Sequence, residues 1–335
     1  MDIDFRSGIV ERKIKLCFIG AGNVAAQHAR HLKSLSGVEI SGFYDTMGRN
    51  AFAYKSNLIK NPSQSIKQMF KNTDPDAVFI CTPPFAHGEA EEACIEHKVP
   101  FFVEKPLSNS VENASKIMRQ IRRVGIITSV GYMKRYQKGV QIAKRLARSY
   151  KISMVNGTWA VETPRRHPWL TQEKLSGGQI LEQLTHLFDT VRDLCGEAES
   201  VYAYGANGFV RRSKIYDTYD AIGTLIKLKN KAVANISGSW SSNAVKDINL
   251  KLYGPEINIG FNNWNFDTVI SSKRARNLNV PGSNDIFFVE DMAFLKAIRS
   301  GSTESIMCDY ENGVETLKLS IAAKKSLETG VQVKV

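Results

Sequence analysis

No stretch of about eighteen consecutive apolar residues occurs in the chain, so no segment reads as a membrane-spanning helix. The opening residues, MDIDFRSGIVERK, lack a basic start followed by an apolar core and do not read as a secretory signal. The five cysteines (Cys17, Cys81, Cys94, Cys195 and Cys308) stand singly, without a CxxC pair. Reduced thiols in a cytoplasmic protein are the expectation. The histidines are scattered and no His/Cys/carboxylate cluster has ligand spacing, so no metal is expected. There is no internal repeat and no low-complexity tract.

The net charge of +12 comes without a recognisable nucleic-acid module. Lys and Arg are spread in short groups such as RRSK (211–214) and KRAR (273–276), with no aromatic residues interleaved. This pattern speaks against nucleic acid and leaves an anionic cofactor, an acidic substrate or a solvated basic surface.

The 335 residues suffice for two packed domains, and 43% hydrophobic with 23% charged content is ordinary for a globular chain. The first part alternates apolar runs with amphipathic ones: KLCFIG, VEISGFYD, DAVFICTP, PFFVEKP and IITSVGYM read as strands, with helical segments such as VAAQHARHLKSL and SVENASKIMRQIRRVG among them. Such alternation predicts βα units on a parallel sheet. After about residue 134 the helix GVQIAKRLARSY leads to strands in direct succession, with AIGTLIKLKN and KAVANISGSW pairing as a hairpin around Asn230. The expected fold is α/β: a Rossmann dinucleotide-binding domain over 1–133, then an α+β domain over 134–335 with a predominantly antiparallel open sheet.

KIKLCFIGAGNVA (13–25) ends a strand with glycines and opens a helix. Gly20 permits a tight turn, Gly22 lets a pyrophosphate approach the backbone, and Ala25 allows close helix–strand packing. Asn23 and Val24 open the helix whose N–H groups would face the phosphates. Asp45 ends the second strand, where a carboxylate holds ribose hydroxyls and disfavours a 2′-phosphate. NAD is therefore expected, with NADP left open by Arg49.

With CTPPFAH (81–87), VEKPL (103–107), GYMKRY (131–136) and GGQILEQLTHLFD (177–189) in that order, the chain resembles the glucose–fructose oxidoreductase and inositol dehydrogenase family, Gfo/Idh/MocA, over nearly its whole length. The resemblance implies an NAD(P)-dependent enzyme moving hydride between nicotinamide and a carbinol or ketone carbon of a sugar, cyclitol or sugar derivative. Lys105 matches the family's lysine at the reacting hydroxyl, and His186 matches the base of its inositol-dehydrogenase-like members. Glu182 stands where those members carry aspartate; spacing of four on a helix would place it beside His186 and raise that ring's basicity. Thr82, Pro83, His87 and Glu104 fall in the cofactor-side motifs. His87 is expected near the nicotinamide end or as a helix cap.

Gln179, Gln183 and Thr185 depart from the family's small residues and would narrow or polarise the pocket. Tyr132, Lys134 and Arg135 follow the last strand of the first domain, where ligands collect. Arg165, Arg166, His167 and Trp169 precede the His186 helix; arginines there would suit an anionic substrate, and Trp169 a sugar face. A homodimer or homotetramer would cover the open sheet. Two rival readings are a non-catalytic dinucleotide-binding regulator and an enzyme that recycles NAD within a hydrolysis or isomerisation.

Overall fold

A computed structural model describes residues 12–164, 168–211, 213–274 and 276–335. The first sheet contains β1 (Ile14–Ile19), β2 (Val38–Tyr44), β3 (Pro62–Ser63), β4 (Ala77–Ile80), β5 (Phe101–Val103) and β6 (Thr128–Val130). Its strand order is β3-β2-β1-β4-β5-β6, and every pairing is parallel. That is the doubly wound order, whose reversal point beside β1 opens a crevice at the strands' carboxyl ends. Strands buried on both faces explain the unbroken apolar character of KLCFIG.

The helices of this half are α1 (Asn23–Lys33), α2 (Phe52–Lys55), α3 (Ile66–Thr73), α4 (Glu89–Glu96) and α5 (Val111–Val124). In α1, buried Ala25, Ala26 and Ala29 let the helix lie close on the sheet, and Arg30, His31 and Lys33 complement the dipole in its last turn. In α5, the Ser110 hydroxyl accepts the Asn113 N–H and Gly125 closes the helix at φ +74°.

The second sheet is built from β7 (Met154–Ala160), β8 (Ala198–Ala206), β9 (Ala221–Leu228), β10 (Val233–Ser239), β11 (Asp247–Tyr253), β12 (Ile257–Asn262), β13 (Asp267–Ser272), β14 (Leu278–Val280) and β15 (Val333–Lys334). Its order is β14-β13-β12-β11-β7-β10-β9-β8-β15. The β9–β10 hairpin expected from the sequence is present, and among the described strands of this sheet the central β7–β10 pair alone runs parallel. Helices α6 (Lys138–Ala147), α7 (Glu173–Ser176) and α8 (Thr185–Cys195) precede most of these strands, and α9 (Ile286–Ser300) and α10 (Tyr310–Thr329) follow β14.

The α9 helix does not stay with the second sheet. Its Phe294 and Leu295 join Leu16, Phe18, Phe79 and Phe102 in the core of the first sheet. A late segment of the chain thus seals the dinucleotide half.

Candidate active site

Gly20 has φ +85°, and a Cβ there would meet the Cys81 carbonyl at 2.7 Å, so the turn between β1 and α1 admits only glycine. Gly22 differs: nothing lies within 4 Å of where its Cβ would be. Its open side faces away from protein, as a backbone that must receive a phosphate requires. The Asp45 carboxylate accepts N–H bonds from Ala21 and Met47, both at 2.7 Å, which ties the end of β2 to the glycine turn. Asn23 and Val24 are exposed at the start of α1, and Arg49 is exposed in the short turn Gly48–Asn50. These residues fit a dinucleotide: open glycine, helix N-terminus and carboxylate stand together.

After β4, Thr82 and Pro83 lead into a helical turn at Pro84–Ala86. His87 is spent internally. Its Nε2 lies 2.9 Å from the Thr82 carbonyl and its Nδ1 3.1 Å from Glu91, whose other oxygen accepts the Gly88 N–H. Burial would lower the His87 pKa, but the Glu91 charge and hydrogen bond raise it overall. His87 therefore braces the start of α4.

Between the two sheets lies a cavity of about 690 Å³. Val24 and Gln27 line it from α1, Glu104 and Lys105 from the end of β5, Glu182 and His186 from the segment before and into α8, and three indoles, Trp159, Trp240 and Trp264, from the second sheet. No expectation from the sequence falls on these tryptophans. Each stands at or just beyond the end of a strand (β7, β10 and β12), the one signal that marked them.

Lys105 is the cavity's anchored cation. Its Nζ donates to the Glu182 carbonyl at 2.8 Å and to the Glu182 carboxylate at 3.1 Å. The carbonyl is reachable because Ile180–Leu184 is wound as a π-helix, which loosens the regular backbone ladder. Glu182 and His186, four residues apart, both line the cavity as their spacing predicts, but the Glu182 carboxylate turns to Lys105 instead of raising the basicity of His186. The described partner of the Glu182 carboxylate is Lys105.

His186 stacks on Trp159, with ring centroids 5.4 Å apart and planes 16° from parallel, and meets Tyr132 edge-on. Its pKa is driven well below the ordinary histidine range, chiefly by burial and further by the positive charges of Lys105 and Lys134. The ring is neutral at working pH, a form able to take a proton.

Several residues expected at the substrate turn out to be structural. Arg135 is buried, with its guanidinium on both oxygens of Asp189 at 2.7 and 2.8 Å, on Asp193, and on the Asn312 side chain. It does not line the cavity. Tyr132 is also buried, its hydroxyl paired with Thr185 at 2.9 Å. Lys134 instead reaches the tryptophan wall: Nζ donates to the Trp264 carbonyl and sits 4.1 Å from that indole's centroid. Burial lowers its pKa to about 7.

Gln183 lines the cavity, linking the Trp159 carbonyl to the Trp240 indole N–H, whereas Gln179 holds the Tyr219 and Asp220 carbonyls. Trp169 packs edge-on against Phe85. Arg165, Arg166 and His167 lie outside the described residues.

A glycine turn built for a dinucleotide, opening beside a lysine and a neutral histidine, defines a nicotinamide-dependent oxidoreductase. Residues 14–132 match the profile of the "Oxidoreductase family, NAD-binding Rossmann fold" and residues 145–259 the "GFO/IDH/MocA C-terminal domain". The chain is 26% identical to a scyllo-inositol 2-dehydrogenase (NAD(+)) of Bacillus subtilis, with 97% of each chain covered. It is 24% identical to a myo-inositol 2-dehydrogenase of Thermotoga maritima, over 96% of this chain and 98% of that one. Its fold matches the structure of a levoglucosan dehydrogenase complexed with NADH, with TM-score 0.85, 19% identity, and 97% and 99% of the two chains covered. The chain belongs to the GFO/IDH/MocA oxidoreductase family and is an NAD-dependent dehydrogenase.

Proposed function

We propose that the protein interconverts a secondary hydroxyl and the corresponding ketone on the ring of a sugar or cyclitol. The observation that carries this reading is the meeting of Lys105 and His186 in one cavity walled by Trp159, Trp240 and Trp264. Indole faces suit the apolar C–H faces of a polyol ring, while polar groups among them fix its hydroxyls. The inositol dehydrogenases among the relatives support the same substrate class.

In this reading the Gly20–Ala25 turn and Asp45 hold NAD, which when bound supplies the hydride acceptor. His186, neutral and buried, takes the hydroxyl proton. The Lys105 ammonium stabilises the oxygen as it gains negative charge, and Glu182 keeps that ammonium in place. The described cations of the cavity favour a neutral polyol over an anionic substrate: Lys105 already faces Glu182, and Lys246 lies 3.8 Å from Glu162. Asp45, a carboxylate at the ribose position, favours NAD over NADP.

The second sheet supports a dimer or a larger assembly. Tyr204, Leu225, Val233 and Val269 are exposed on its strands, a face a second copy would cover. Light scattering tests that part. The five free thiols suit a reducing compartment.

The catalytic reading is tested by following NAD reduction in the near ultraviolet with cyclitols, free sugars, uronic acids, sugar phosphates and simple secondary alcohols. Turnover of a ring polyol, with little for the simple alcohols, is the expected result. Turnover confined to the phosphates or uronic acids would overturn the neutral-polyol assignment.

A further inference from the structure

Beside the cavity, a cluster of titratable groups is buried that the proposed chemistry does not use. His28 of α1 is wholly buried among the rings of Phe79, Phe102 and Phe287. Its Nδ1 lies 2.6 Å from Asp291 and its Nε2 3.1 Å from one oxygen of Glu104. The other Glu104 oxygen accepts the backbone N–H of Lys105 at 3.2 Å. Gly131 leaves room for this carboxylate: a Cβ there would meet it at 2.9 Å. Glu290 of α9 is fully buried, neither of its oxygens has a hydrogen-bond partner among the described residues, and one oxygen falls within 4.8 Å of both the His28 and the Glu104 atoms.

We propose that Glu290 and His28 are positioning residues for Lys105, holding the Glu104 carboxylate from behind while that carboxylate holds the Lys105 backbone. The inference rests on the reading of Lys105 as the residue at the reacting hydroxyl. It explains why α9 crosses to the first sheet, because the helix delivers Glu290 and Asp291 to the segment that carries Lys105.

Charge accounts for the form the cluster takes. Three carboxylates around one imidazole, all buried, are untenable unless protons are retained. Burial lowers the His28 pKa, yet Asp291 and Glu104 raise it well above the ordinary range, so the ring is an imidazolium. Burial first, then the Glu104 charge, raises Glu290 well above the carboxylate range. The His28 charge works against this and Asp291 adds to it, with the net direction upward, while Cys81 and Tyr136 are themselves pushed towards their neutral forms, chiefly by burial. The shift favours the protonated form of Glu290, which then has a proton to donate with a Glu104 oxygen within 4.8 Å.

The test compares E290Q and E290A in the full-length chain, using reductive methylation by formaldehyde and cyanoborohydride, followed lysine by lysine with mass spectrometry. NADH affinity is measured by fluorescence on the same samples. A glutamine keeps a neutral donor, so E290Q should match wild type within about twofold at Lys105. E290A frees Glu104, and Lys105 should be methylated at least about fivefold faster, with exposed Lys116 unchanged and NADH affinity within about threefold.

A folded E290A with wild-type Lys105 reactivity would overturn the proposal. So would an E290Q that fails as E290A does, since charge would then matter and the donated proton would not. If E290A does not fold, E290Q decides alone: an unchanged rate at Lys105 supports the proposal, and a fivefold rise at unchanged Tm overturns it. Stoichiometric metal in the purified protein that E290Q loses would also overturn it. Methylation needs no turnover, so failure of the Lys105 chemistry and failure of this network are distinguishable.

Discussion

The ammonium of Lys105 is held twice by Glu182, through the backbone carbonyl at 2.8 Å and through the carboxylate at 3.1 Å. The two bonds act differently. The carbonyl survives any side-chain replacement, whereas the carboxylate supplies charge. Glu182→Gln should therefore lower kcat modestly and Glu182→Ala more, by about 10- to 100-fold, with NADH affinity unchanged in both. Steady-state kinetics on the substrate found active, beside fluorescence titration of NADH, check this. A parallel loss of NADH affinity would place Glu182 in the cofactor site instead.

The two glycines of the β1–α1 turn should fail in different ways. Gly20→Ala forces a Cβ against the Cys81 backbone at positive φ and should cost at least about 1–3 kcal/mol of stability. Gly22→Ala meets no protein atom within 4 Å, so its stability should stay within about 0.5 kcal/mol while NADH affinity falls at least about tenfold. Urea denaturation and NADH titration separate the two outcomes.

Arg135 should act on folding. Removing it leaves Asp189 buried without its cation, while Asp193 keeps Lys144 at 2.6 Å. Arg135→Ala should lose about 3–5 kcal/mol, read by chemical denaturation. If the variant instead kept wild-type stability and raised KM for substrate, Arg135 would belong to the cavity after all.

Lys134 makes stability depend on pH. Its folded-state pKa of about 7 lies below the ordinary 10.5. Between those values the unfolded chain holds a proton that the folded chain has released, so this group makes stability rise with pH across the window. The slope is about 1.4 kcal/mol per pH unit at most. Lys134→Met should remove that slope between about pH 8 and 10, a difference visible in denaturation midpoints. Equal slopes in the two proteins would mean that Lys134 keeps its proton when buried.

How much of this was legible in the sequence varies with the kind of signal. The βα rhythm, the GAGNVA turn, Asp45 and the β9–β10 hairpin depend on local patterns, and the structure has them in place. The tryptophan wall depends on how three separate strand ends converge across the second sheet, which no local pattern encodes. Spacing rightly brings Glu182 and His186 to one cavity and misled only on the carboxylate, which meets Lys105 while the pKa of His186 falls. Arg135 misled in another way. A cation after the last strand of the first sheet reads as substrate-facing until Asp189 and Asp193, more than fifty residues further along the chain, are seen to enclose it. His28 sits within the helical segment VAAQHARHLKSL with no local mark of its role, because its partner Asp291 lies 263 residues away.

The central claim is that Lys105 acts on the reacting hydroxyl and not on the cofactor. The most direct measurement is the rate of NADH formation by wild type and Lys105→Ala with the active polyol, alongside the NADH dissociation constant of each. The account predicts that the variant loses turnover by at least about a thousandfold while NADH affinity stays within about threefold. A Lys105→Ala enzyme turning over at the wild-type rate would contradict it.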